Sequence, residues 1–106
     1  TDSRGNLWLF GGLGVDSAGT SGFLSDLWEY SISSGDWIWV HGPIMANVNG
    51  TYGTKGAAAA ANTPGARAEP FRWYDASGHL WLFGGFEGIV NASRVEMNDL
   101  WEYPTQ

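Results

Sequence analysis

The residues able to do chemistry in this chain are few, and their spacing suits it poorly. Two histidines, His41 and His79, and no cysteine stand among eleven acidic residues. Copper and zinc sites need several imidazole or thiolate donors converging on one point. Two imidazoles far apart in the chain, each beside a turn, read as solvated, and no metal or other cofactor is expected. Paired carboxylates come next, since glycoside hydrolysis needs two of them across a cleft. Asp26 with Glu29 and Asp99 with Glu102 form such pairs, but both sit in one short motif that occurs twice. A group that recurs with a motif serves the motif, by capping a turn or pairing across strands. Both pairs therefore read as structural. The stretch DSAGTSG at 16–22 offers a single carboxylate with hydroxyl and backbone oxygens. Calcium prefers several carboxylates in one loop, so this is read as a Gly/Ser turn. No catalytic residue is expected.

Contact and modification leave more candidates. Asn49-Gly50-Thr51 and Asn91-Ala92-Ser93 match the N-glycosylation acceptor pattern in expected loops. Phe23, Tyr52 and Phe86 also fall in expected loops, which makes them candidates for contact with a partner. Trp8, Trp28, Trp81 and Trp101 lie at alternating strand positions, where packing between sheets accounts for them.

Composition sets the frame that must hold these residues. Of 106 residues, 43% are hydrophobic, seven are Trp and sixteen are Gly. That mixture favours short strands, tight turns and large rings between sheets. No stretch keeps a 3.6-residue apolar period for three turns, so long amphipathic helices are not expected. The net charge is −6 and the five basic residues are scattered, which would repel a phosphate backbone, so no nucleic-acid partner is expected. Neither a basic amphipathic stretch nor an apolar run of about 18–20 residues is present, so no membrane insertion is expected.

The positioning elements come from a repeat. LWLFGG at 7–12 returns at 80–85, and DLWEY at 26–30 returns at 99–103. Both differences, 80 − 7 and 99 − 26, are 73. Matched motifs with equal but dissimilar loops between them signal one supersecondary unit in an array. Alternation places Leu7 and Leu9 on one face of a strand, with Trp8 and Phe10 on the other. Both faces are apolar, which suits a sheet between two others, and Gly11-Gly12 is expected to end the strand. Strands are expected at about 6–11, 25–32, 36–41, 70–75, 79–84 and 98–104. Residues 42–65 lack a strand period and are expected to be irregular, with at most one helical turn at the Ala57–Ala61 run.

A strand ending in Gly-Gly, then a Tyr on the next strand and a Trp soon after, resembles the kelch pattern. Gly11, Gly12, Tyr30 and Trp37 carry it once, and Gly84, Gly85 and Tyr103 carry it again. YGTKGAAAAANTPGAR, DASGHLWLFGG and NDLWEY are similar to long-period tandem kelch repeats of secreted bacterial proteins. The resemblance implies an all-β fold of β-propeller blades, four-stranded antiparallel sheets around a channel. Lettering strands from the channel outwards, the chain covers about one and a half blades, b-c-d then a-b-c. Residues 1–42 would be a blade lacking its innermost strand, 43–65 an inter-blade loop, and 66–106 a blade lacking its outermost strand. The missing strands would come from further blades of a parent chain or from other copies of this chain, and a strand from the far end of a ring would stand beside residues 98–103. Pro70, at the start of a strand, departs from the pattern.

Some kelch propellers resemble galactose oxidase-like copper enzymes, but those need a Cys-crosslinked Tyr and this chain has no Cys. YDASGHLW is similar to the Asp-box of sialidases, yet its spacing is off by one and the leading Ser is missing. The resemblance thus implies a non-catalytic structural or recognition module, secreted or at the cell surface, that meets protein or glycan partners through blade-end loops. The alternatives are a carbohydrate-binding propeller attached to an enzyme, and a scaffold portion of a kelch-type enzyme.

Overall fold

The structure, a computed structural model, describes residues 1–90 and 93–105. These residues form eight strands and no helix: β1 (Leu7–Val15), β2 (Ser21–Ser31), β3 (Asp36–His41), β4 (Phe71–Tyr74), β5 (His79–Phe83), β6 (Phe86–Val90), β7 (Ser93–Glu96) and β8 (Leu100–Pro104). All pairing between strands is antiparallel. The order is β1-β2-β3 in one sheet, β4-β5-β8 in a second, and β6-β7 in a two-stranded hairpin.

The two three-stranded sheets contain the six expected strands, but the segments between the repeated motifs are not loops. β1 does not stop at Gly11-Gly12. It passes through a register shift there and pairs on to Val15 opposite Ser21. The physical reason is the glycine pair itself. With φ of 58° at Gly11 and 97° at Gly12, the chain takes a bulge that L side chains resist, and the ladder then resumes. In the second repeat the same hairpin forms as β6 and β7, separated from β5 by Gly84-Gly85 and from β8 by residues 97–99.

Cross-strand register fixes the faces. In the first sheet Leu7, Tyr30 and Trp37 lie opposite one another, as do Leu9, Trp28 and Trp39. Trp8, Glu29 and Ile38 point the other way. In the second sheet Tyr74, Leu80 and Tyr103 share one face with Arg72, Leu82 and Trp101. Trp73, Trp81 and Glu102 share the opposite face with Phe71, Phe83 and Leu100. The Trp8 face of the first sheet meets the Tyr103 face of the second. Ring centroids of Trp8 and Tyr103 are 6.4 Å apart, and those of His41 and Tyr103 are 5.9 Å apart.

Each sheet is thus covered on one face only. Trp8 and Trp81 match in burial, and so do Trp28 and Trp101, but all four are half-buried rather than enclosed between sheets. Leu9 is 52% exposed, Trp39 50% and Phe71 75%. The most buried hydrophobic residues lie elsewhere. Ala66 and Ala68 are buried with Arg67 in the connector, residues 42–70, and Leu82 lies between its cross-strand partners Arg72 and Trp101.

Residues 42–65 are irregular, as expected, with one isolated bridge between Thr51 and Thr63. The Ala57–Ala61 run forms no helix, and its end makes a single turn closed by the Asn62 N–H on the Ala59 carbonyl at 3.0 Å. Pro70 immediately precedes β4, where its missing N–H costs no ladder bond.

Candidate functional site

Among the described residues the densest polar chemistry surrounds Arg67, on the connector between the two sheets. Its backbone belongs to the first repeat: the Arg67 N–H donates to the Leu24 carbonyl at 3.1 Å, and the Gly12 N–H donates to the Arg67 carbonyl at 2.8 Å. One residue on, Ala68 exchanges both backbone bonds with Phe86 of the second repeat, at 2.9 and 3.0 Å. The connector is therefore shared, with one residue bonded to each hairpin. Ala66 adds a bond to the Val48 carbonyl.

This close passage explains the double glycines. A Cβ on Gly11 would stand 2.8 Å from both the Arg67 and Leu24 carbonyl oxygens, and one on Gly85 would stand 2.8 Å from the Ala68 oxygen. Gly84 is nearly as tight against the Met97 oxygen, while Gly12 meets nothing and is required by its φ alone.

The Arg67 side chain points into the second repeat and is fully buried. Nε donates to the Gly65 carbonyl and one terminal nitrogen to the Gly84 carbonyl, both at 3.0 Å. The two terminal nitrogens meet the two Asp99 oxygens at 2.5 and 2.8 Å. Such a fork-to-fork pair is the strong form of the ion pair. Asp99 also accepts from Trp101 Nε1 at 2.6 Å and from the Tyr52 hydroxyl at 2.8 Å. Burial alone would raise the Asp99 carboxyl, but the Arg67 fork and the indole and hydroxyl donors outweigh it and hold it far below the usual carboxylate range. Tyr52 is shifted up, first by desolvation and then by its bond to Asp99.

The repeated turns use carboxylates in the same way. Asp2 accepts from the backbone of Arg4 and Asn6 and from Trp8 Nε1. Asp75 accepts from the backbone of Ser77 and His79 and from Trp81 Nε1. Each partner of Asp75 is 73 residues beyond the corresponding partner of Asp2. On the neighbouring strands Glu29 accepts from Asn6 Nδ2 at 2.6 Å, and Glu102 pairs with His79 in the equivalent place. A hollow of about 400 Å³ beside Arg4, Asn6, Glu29 and Ile38 is thus lined by polar groups that already have partners.

The candidates from sequence fall as follows. Gly11, Gly12, Gly84 and Gly85 line the connector, Tyr30 lies 5.1 Å from Trp37, and Tyr103 faces Trp8 across the two sheets. Phe23 and Phe86 lie not in loops but on β2 and β6, where their half-buried rings pack edge to face at 5.6 Å and join the two hairpins. Tyr52 does lie in the connector, but its ring packs on Trp101 at 5.1 Å and its hydroxyl is engaged. His41 is half-buried, with Nε2 3.2 Å from the Ala60 carbonyl, and His79 pairs with Glu102, so neither is simply solvated. Asp16 is saturated by the backbone N–H groups of Ala46, Thr20 and Ala18, which lower its carboxyl and tie the hairpin tip to the connector. Asn49 is exposed in the connector, and Asn91 lies outside the described residues. Among the described residues no three His, Cys, Asp or Glu side chains gather as metal ligands.

Besides Arg67, two residues escaped sequence reasoning. Asp2 was detectable, because DSRGNLWLFGG aligns with DASGHLWLFGG from its first letter. Asn47 was not: at φ 60° it bonds Phe23 through both backbone and side chain, a contact no repeat signals.

No protein-family model matches this chain, and no curated protein matches it.

Proposed function

We propose that this chain is part of a kelch-type β-propeller, carrying strands b-c-d of one blade and a-b-c of the next. In this reading it is a non-catalytic structural or recognition module of a secreted or cell-surface protein. It meets further blades through its open sheet faces and a protein or glycan partner through its hairpin tips. What supports the reading is the matching of faces. The Trp8 face of the first sheet packs on the Tyr103 face of the second. The 73-residue equivalents of those faces are the ones left open: Trp81 with Trp73 and Phe71 on one side, Tyr30 with Trp37 and Leu9 on the other. Units related in this way stack head to tail, and such contacts build rings or filaments.

The test is charge placed on an open face. Trp39→Lys should abolish association of the chain with itself or with a neighbouring blade, and cooperative unfolding should be lost with it. Unchanged association would overturn the reading. A carbohydrate-binding function is the alternative, and the observation favouring it is the exposed pair Trp37 and Trp39 on one face of β3. Glycan-array binding that is lost in Trp39→Ala would support it.

A further inference from the structure

The two repeats differ at one acidic corner. Asp99 carries a buried guanidinium, a hydroxyl and an indole; Asp26, its equivalent, carries only the indole of Trp28, at 2.6 Å. The difference does not lie in the corner itself. Trp28 stands for Trp101, Gly11 for Gly84, and the same Asp-to-indole bond forms. What differs is the connector. Beside Asp99 it meets the start of β6, in a single bridge between Ala68 and Phe86. Beside Asp26 the equivalent position is Leu13, on the open edge of β1, which pairs only with Phe23 of β2 and is 68% exposed.

We propose that Asp26 is the receptor for the arginine of a Gly-Ala-Arg-Ala connector carried by another repeat unit, with that connector paired along β1 at Leu13. This rests on the array reading above and names the contact that joins one unit to the next. The charge is complementary: Asp26 has no basic partner among the described residues, and by its repeat equivalence to Asp99, as Gly11 is equivalent to Gly84, this corner offers an arginine the acceptors that Arg67 uses. The edge of β1 presents the backbone groups that Phe86 offers Ala68. Each connector thus pairs its backbone with both units, Arg67 with the one behind and Ala68 with the one ahead, and buries its arginine in the unit ahead.

The experiment extends the full 106-residue chain before Thr1 by a copy of its own residues 43–73. That copy places an arginine eight residues ahead of Asp2, as Arg67 is ahead of Asp75. The copied arginine is changed to Met, Asp26 is changed to Asn, and the two are combined. The expected result is that the extension raises the urea midpoint, either change removes most of the gain, and the double change removes no more than either alone. The Trp28 indole N–H resonance should also move on extension and return when the copied arginine is Met. If the extension stabilises equally with Met, the Asp26 receptor is wrong while stacking of units stands. If the extension changes neither midpoint nor resonance, both are wrong.

Discussion

Arg67 and Asp99 meet through two N–H···O bonds of 2.5 and 2.8 Å, although the backbone of Arg67 is paired to the other repeat. One residue therefore ties the two halves of the molecule, by its peptide on one side and its guanidinium on the other. Removing one partner of a buried pair leaves the other desolvated and uncompensated, at a cost of about 3–5 kcal/mol. Arg67→Met and Asp99→Asn should each lower stability by that order in urea titrations. Arg67→Lys should rescue little, since an ammonium cannot span both oxygens and the Gly84 carbonyl.

Acid should act through the same corner. The native carboxyl of Asp99 is held below its ordinary value, as are those of Asp2 and Asp75. A depressed native value means that the unfolded state takes up protons first. The stabilisation is present above the unfolded value of about 3.9 and is lost as pH falls from there toward the native values. Urea midpoints measured from pH 7 down to pH 2 should fall steeply below about pH 4. The fall should be shallower in Asp99→Asn, and an equal slope in that variant would contradict the assignment.

The two glycines of the first motif should respond differently to a methyl group. Gly11→Ala brings a Cβ within 2.8 Å of two backbone oxygens, at a positive φ. Left-handed backbone costs an L residue about 1–2 kcal/mol, and overpacking adds about 1–3 kcal/mol. Gly12→Ala meets no atom and carries the backbone term alone. Thermal unfolding should rank wild type above Gly12→Ala, and Gly12→Ala above Gly11→Ala; a reversed order of the two variants would contradict the account of the connector.

The sheets were legible because alternation and the exact repetition of LWLFGG and DLWEY report cross-strand geometry directly. The hairpins β1–β2 and β6–β7 were not, because a Gly-Gly pair signals equally a strand end and a bulge through which pairing continues. Arg67 was visible as a basic residue but not as a rivet, since its partners Asp99, Gly84 and Leu24 are brought to it only by tertiary packing. Phe23 and Phe86 were misplaced for the same reason: their contact joins two repeats, and nothing local marks it.

The central claim is that these two units are consecutive members of an array whose outer faces need neighbours. Sedimentation velocity over a range of concentrations, followed by urea unfolding of each species, tests it most directly. The account predicts that the isolated 106-residue chain associates with itself as concentration rises and shows no cooperative unfolding as a monomer. A monodisperse monomer at every concentration, unfolding in one cooperative transition, would contradict it.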